Sequence, residues 1–180
     1  MKKVLAFGAS NSSTSINALF ATYVASQIED STLVSIDWND LVLPLYSPDL
    51  EASMGIPENV QHFYNTVQSV DAIVLSLAEY NGMPTAAFKN LWDWASRIDM
   101  KFWANKPLLL MAVSPGGRGG TSVLEIIGKL MPHLGGNVIA QFSLPSFHTN
   151  FQDGQLVNTQ LKRELVDKIE RFQRSIEIQY

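Results

Sequence analysis

The stretch "GASNSSTSIN" (8–17) carries hydroxyls on Ser10, Ser12, Ser13, Thr14 and Ser15 and has no Lys or Arg. It lies between an apolar run, "VLAFG", and an amphipathic one, "INALFATYVASQI". Read as a strand-to-helix loop, it sets hydroxyl donors beside a helix N-terminus. There the first N–H groups lack partners and the helix dipole is positive. That combination holds a phosphate without any basic side chain. A plain N-cap by Ser15 or Thr14 is the simpler role. A cap needs one such residue, however, and this loop has five hydroxyls. The spelling excludes two common nucleotide loops. No segment fits G-x-x-x-x-G-K-[ST], and "GASNSS" lacks the G-x-G-x-x-G of a dinucleotide fold.

Two further loops carry unusual residues. "SLAEYNGMPTAAFKN" (76–90) follows a buried-looking strand, and its Asn81-Gly82 pair favours a tight turn. Beyond that turn, its amides, Asn81 and Tyr80 are suited to facing a planar ligand. "SPGGRGGTS" (114–122) sets four glycines around Arg118, which lets main chain approach another group closely. The three histidines, His62, His133 and His148, show no metal-ligand spacing. Of these, His148 follows the last strand and is the one placed to approach the loops. There is no G-x-S-x-G elbow and no cysteine, so neither a serine-hydrolase site nor a thiolate site is expected.

The elements that must position these loops are legible as periodicity. Segments 3–8, 32–37, 71–78, 107–114 and 137–144 read as strands. The first, third and fourth are nearly continuous in apolar residues, as in a parallel sheet covered on both faces. Helical spacing links Ile16, Leu19, Phe20, Tyr23, Val24 and Ile28, and recurs over 57–70, 84–98, 123–134 and 161–176. Pro57 and Pro84 are expected at first helical positions. Strands alternating with helices predict a doubly wound α/β sandwich of strand order 2-1-3-4-5. Its ligand edge lies at the strands' carboxyl ends, which gathers all three loops. The connection at 38–56 is long, as functional or interfacial loops often are.

A length of 180 residues suits a single domain, 1–180. The net charge of −4 does not suggest nucleic acid or an anionic membrane as partner. The opening apolar run is about five residues, short of a secretory h-region. A cytoplasmic location is therefore expected. "WDWASRIDMKFW" (92–103) packs Trp92, Trp94, Phe102 and Trp103 close together. More large rings than a core absorbs would signal an interface.

"AEYNGMPTAAFKNLWDW" (78–94), "SPGGRGG" (114–120), "GASNSSTSIN" and "LPLYSPD" (43–49) together resemble the NAD(P)H-dependent FMN reductases. That flavodoxin-like group includes quinone, azo-dye and chromate reductases. The resemblance runs from the first strand to about residue 145. It implies a flavodoxin-like three-layer sandwich, α/β with a five-stranded parallel sheet. It implies bound FMN, with NADPH or NADH as cosubstrate. Hydride would pass to FMN and electrons onward to a small acceptor (a quinone, azo compound, metal oxyanion or free flavin) in a ping-pong cycle. The flavin would carry the chemistry, with no catalytic side chain and no metal. By position, Ser10, Ser12, Ser15, Ile16 and Asn17 would surround the FMN phosphate. Glu79, Tyr80, Asn81 and Gly82 would line the ring and ribityl, and Ser114, Gly116, Gly117 and Arg118 the ring's far side. A homodimer or homotetramer is also implied. Two departures stand out. The family often has an Arg in the phosphate loop, where Asn11 and its neighbours stand here, and a Pro where this chain has Ala78. A lost charge-assisted bond costs roughly 1.5–3 kcal/mol. A non-enzymatic flavodoxin-like carrier or redox sensor is the alternative.

Overall fold

The computed structural model describes residues 1–177. Residues 178–180, the end of the expected domain, lie outside them. The main sheet holds β1 (Lys2–Ala9), β2 (Ser31–Ser35), β3 (Ala72–Leu77), β6 (Pro107–Val113) and β7 (Asn137–Leu144). All its pairings are parallel, in the order β2-β1-β3-β6-β7. This is the expected 2-1-3-4-5 order, with the switch between β1 and β3. Two short hairpins, β4–β5 (Glu79–Tyr80, Met83–Pro84) and β8–β9 (Phe151–Gln152, Gln155–Leu156), lie outside the sheet.

Strand side chains alternate between two helical layers. Leu5, Phe7, Ile73, Leu75 and Leu110 pack with α3 (Glu58–Ser69), α4 (Ala86–Ile98) and α5 (Thr121–Leu130). Val4, Ala6, Val74, Leu109 and Met111 pack with α1 (Ile16–Ala25) and α7 (Thr159–Glu177). β1, β3 and β6 are buried almost end to end, which explains their unbroken apolar runs. Among the described residues no helix is long and apolar enough to cross a membrane.

Three expectations are corrected. Pro57 caps α3 rather than opening it, and Pro84 ends the hairpin, leaving Thr85 to cap α4. The 38–56 connection is not a bare loop. It holds a 3-10 turn (Trp38–Leu41) and α2 (Pro48–Met54). It is pinned to α4, because Asn90 Nδ2 and Trp94 Nε1 both donate to Pro44 O, at 3.0 and 2.9 Å. Finally, Trp92, Trp94, Phe102 and Trp103 are all buried within the chain. Trp103 meets Phe63 edge-on, Trp92 lies tilted against Phe88, Phe102 against Trp103, and Trp94 edge-on to Tyr46, so the core absorbs them. Exposed apolar side chains include Val42, Leu45 and Met54 in the long connection and Tyr80 and Met83 in the hairpin.

Candidate functional site

The hydroxyl loop leaves β1 at Ala9 and enters α1 at Ile16. Helix α1 presses directly on the strand's end: a Cβ on Gly8 would overlap the main chain of Ala18. Ser15 is the N-cap, its Oγ accepting from Ala18 N–H at 3.1 Å. The simpler role is therefore real, and it leaves the Ser15 O–H free to donate. Ser10 is buried and its Oγ accepts from Ser12 N–H at 3.3 Å. Ser12 Oγ accepts from Thr14 N–H, also at 3.3 Å. Ile16 and Asn17 are the first two helical residues, and among the described residues their N–H groups meet no acceptor. Two unpaired amides and a set of hydroxyls, with no carboxylate in the loop, form a donor set that suits a phosphate.

Side chains from neighbouring strands secure the same edge. Trp38, on the turn after β2, stacks on Phe7 and donates Nε1–H to Gly8 O at 2.5 Å. Asp37 caps that turn. The Asn39 backbone N–H, then the Asn39 side-chain amide, donate to its carboxyl and hold it below the usual carboxylate range. Thr85 Oγ1 donates to Ala9 O at 3.2 Å and accepts from Phe88 N–H at 3.1 Å.

In the third loop, Asn81 (φ 54°) and Gly82 (φ 79°) make the two-residue turn of the β4–β5 hairpin. Both central residues have positive φ, as a type I′ hairpin requires. Glu79 lines a groove at this edge, and its carboxylate accepts Val123 N–H at 3.0 Å, in the first turn of α5. That helix has no capping side chain of its own. Glu79 thus ties the third loop to the fourth. Replacing Glu79 with Ala is expected to cost about 1–2 kcal/mol, as lost caps do. Gln should restore most of it, and chemical denaturation checks both.

The fourth loop divides its glycines by role. Gly119 and Gly120 have positive φ, and a Cβ on either would collide with neighbouring atoms (Ser143 and Ala112). A Cβ on Gly117 would meet nothing within 4 Å, and one on Gly116 only Ser114 Oγ at 3.9 Å. The chain's own packing therefore does not require glycine at those two positions. Ser114 O and Gly116 O accept the Phe147 and Ser146 N–H groups, so the loop after β7 backs this one. Arg118 is exposed, with one terminal nitrogen donating to Ser122 Oγ at 2.6 Å. His148, on α6 (Phe147–Asn150), stands behind the loop with its ring edge-on to Phe147. His62 and His133 are exposed elsewhere.

A groove of 170 Å³ brings Ser10, Ser12, Ser15, Ile16 and Asn17 together with Glu79, Tyr80 and Ser114. Asn81, Gly82, Gly116, Gly117 and Arg118 do not line it. Asn17 contributes no free side chain there. It is 3 % exposed and its amide is fully engaged with Val113 and Ser76. What it offers the groove is its main-chain N–H. Ser10, Ser12, Ser15 and Ile16 also border a second cleft, of 780 Å³, whose far walls are Leu19, Ile36, Asp37 and Trp38. Helical spacing assigns Leu19 to the buried face of α1, yet it is 53 % exposed and lines this cleft. Sequence reasoning did not single out Asp37 or Trp38. A lone Trp just after an edge strand carries no motif, and only the fold brings it to the loop. Among the described residues no group of three or more His, Cys, Asp or Glu is placed to hold a metal.

The family model described as NADPH-dependent FMN reductase matches residues 2–149. An NADPH azoreductase of a Bacillus species (strain OY1-2) is 32 % identical over 137 residues, covering 76 % of this chain and 71 % of that protein. An NADPH:quinone oxidoreductase of Arabidopsis thaliana is 38 % identical over 80 residues, covering 44 % of this chain and 40 % of that one. The chain spans about half or less of the leading curated relatives: 40 %, 48 % and 42 %. Among solved structures, the flavoenzyme NAD(P)H:acceptor oxidoreductase FerB of Paracoccus denitrificans superposes with a TM-score of 0.77. It covers 98 % of both chains at 24 % identity, a likeness that speaks for the fold. The match of the family model over most of the sequence makes the chain a member of the NADPH-dependent FMN reductase family.

Proposed function

We propose that this chain is an FMN-dependent oxidoreductase, one domain over its whole length, that uses NADPH or NADH to reduce a small acceptor. The carrying observation is the donor set at the start of α1, the unpaired Ile16 and Asn17 N–H groups with the Ser12 and Ser15 hydroxyls beside them. It suits a phosphate monoester at the β1/β3 switch point, where such sheets hold FMN. The groove is smaller than the roughly 300–1,000 Å³ of a typical enclosed ligand site. A planar ring would therefore lie across the open edge, between Tyr80–Gly82 and Ser114–Gly117.

When bound, FMN supplies the redox chemistry, accepting a hydride from NAD(P)H and passing electrons to the acceptor. The chain binds and orients. Its hydroxyl loop holds the phosphate, the rigid Asn81-Gly82 turn borders the ring, and Gly116 and Gly117 let main chain come close. Among the described residues that edge is open, so donor and acceptor use it in turn. This supports a ping-pong order and a broad class of acceptors: quinones, azo compounds, metal oxyanions or free flavin. The exposed Val42, Leu45, Tyr80 and Met83 support a homodimer or homotetramer. The absence of a long apolar helix among the described residues is compatible with a cytoplasmic enzyme.

The experiment is an anaerobic spectrum. The purified protein loaded with FMN should bleach on adding NADPH or NADH. A flavin-loaded protein that stays oxidised with both is a carrier rather than a reductase. Gly117→Val provides a site-level check. Its melting temperature should stay within about 2 °C of wild type, as for a surface change worth under about 0.5 kcal/mol. FMN affinity should nevertheless fall by about tenfold or more, as one lost close contact of roughly 1.4 kcal/mol implies.

A further inference from the structure

The β3–β6 ladder ends at Leu77↔Ala112. Past that pair, β3 leaves the sheet at Ala78 and turns into the β4–β5 hairpin. The strands fork there, and the ligand groove opens in the fork. Successive strand residues point their N–H and C=O to opposite neighbours. Ser114 N–H goes to Leu144 O on the β7 side. Val113, one residue back, therefore faces the side that β3 has vacated.

Asn17 fills that vacancy. Its Oδ1 accepts Val113 N–H at 3.1 Å and its Nδ2 donates to Val113 O at 3.1 Å. The side-chain amide thus pairs with both groups of one residue, as the main chain of a neighbouring strand would. The same Oδ1 accepts the Ser76 hydroxyl at 2.7 Å, reaching the carboxyl end of β3 as well. Asn17 and Ser76 are both buried, at 3 % and 0 % exposure. Unmaking such bonds leaves buried donors and acceptors unpaired, which is costly.

These three bonds join the first turn of α1 to the ends of β3 and β6. The first turn carries the Ile16 and Asn17 N–H groups and is capped by Ser15. Val113 leads straight into Ser114 and the glycine loop. We propose that Asn17 is a positioning residue: it fixes the spacing between the hydroxyl loop and the glycine loop, and so makes the site select a phosphorylated flavin over an unphosphorylated one. This rests on the FMN reading above. Asn17 itself touches the ligand with no side-chain atom. It acts through the amides it holds in place.

The test compares FMN with riboflavin, measured by titrating each into the flavin-free full-length chain. Wild type should prefer FMN strongly. Asn17→Leu keeps nearly the side chain's size, adds no charge beside the phosphate site and removes all three bonds. In that variant the FMN-to-riboflavin affinity ratio should fall by at least about tenfold, while riboflavin affinity changes by less than about threefold. Ser76→Ala removes one bond of the three, and the ratio should fall by roughly two- to threefold. A purely structural role would lower the melting temperature and both affinities together, leaving the ratio unchanged, and that result overturns the proposal. If Asn17→Leu does not fold, the Ser76→Ala ratio decides by the same criterion. If wild type itself shows no preference for FMN, the FMN reading fails first and this proposal falls with it.

Discussion

Replacing Ser10, Ser12 and Ser15 together by alanine should raise the dissociation constant for FMN by at least about a hundredfold. A hydrogen bond to a charged group is worth roughly 1.5–3 kcal/mol. Loss of about 3 kcal/mol, one strong bond or two weaker ones, already exceeds a hundredfold. The loop has no cation to compensate, since "GASNSSTSIN" contains neither Lys nor Arg. Part of any change in fold stability will come from the lost Ser15 cap, about 1 kcal/mol. Riboflavin separates the two effects, because it lacks the phosphate and should lose far less affinity. Fluorescence titration of both flavins, with circular dichroism to show that the variant is folded, completes the measurement. Full retention of FMN by a folded triple variant would mean that the phosphate is held elsewhere.

The second large effect is on stability. Gly8→Ala should lower it by about 3 kcal/mol, the upper range for overpacking a tight contact. For a chain of this size that is a drop of roughly 6–12 °C in Tm. A Cβ there would overlap Ala18 and come within 2.8 Å of the Asn17 carbonyl carbon. Main chain cannot swing aside as a side-chain end can. Moreover, Gly8 O already accepts Trp38 Nε1–H and Ser10 N–H, so β1 is held from the other side too. The helix must move, and the phosphate loop moves with it. FMN affinity should therefore fall in the same variant. A Tm within 2 °C of wild type would show that α1 does not sit on β1 as closely as described.

The sheet was legible because burial on both faces writes itself into composition. "AIVLSL" and "PLLLMAV" have almost no polar positions, and only a covered parallel sheet allows that. Strand order followed from length and alternation alone. Boundaries were less legible. Pro84 suits a helix start by its fixed φ, yet the Asn81-Gly82 turn claims it for a hairpin, and local turn chemistry won. The aromatic cluster at 92–103 shows how burial misleads without the fold. Four large rings on and after one helix suggest a surface patch until Phe63, Phe88 and the sheet are seen to enclose them.

At the site, residue types were legible but their duties were not. Glu79 and Asn17 both line the groove, as their positions suggest. What the residue types do not announce is a second duty: Glu79 binds an amide 44 positions away and Asn17 one 96 positions away. Such bonds join segments that meet only after folding, so no periodicity or spacing announces them. Trp38 was missed for the same reason. Four glycines in the fourth loop look alike in sequence, whereas the structure separates Gly119 and Gly120, which the fold requires, from Gly116 and Gly117, which it does not.

The most direct measurement is a crystal structure of the full-length chain with FMN. The account predicts the phosphate at hydrogen-bond distance, about 2.7–3.2 Å, from the Ile16 and Asn17 amide nitrogens and the Ser12 or Ser15 hydroxyl, with the ring lying along Tyr80 and Gly116. A phosphate seated instead in the cleft beside Asp37 and Trp38, or a ring bound away from the hairpin and the glycine loop, would contradict it.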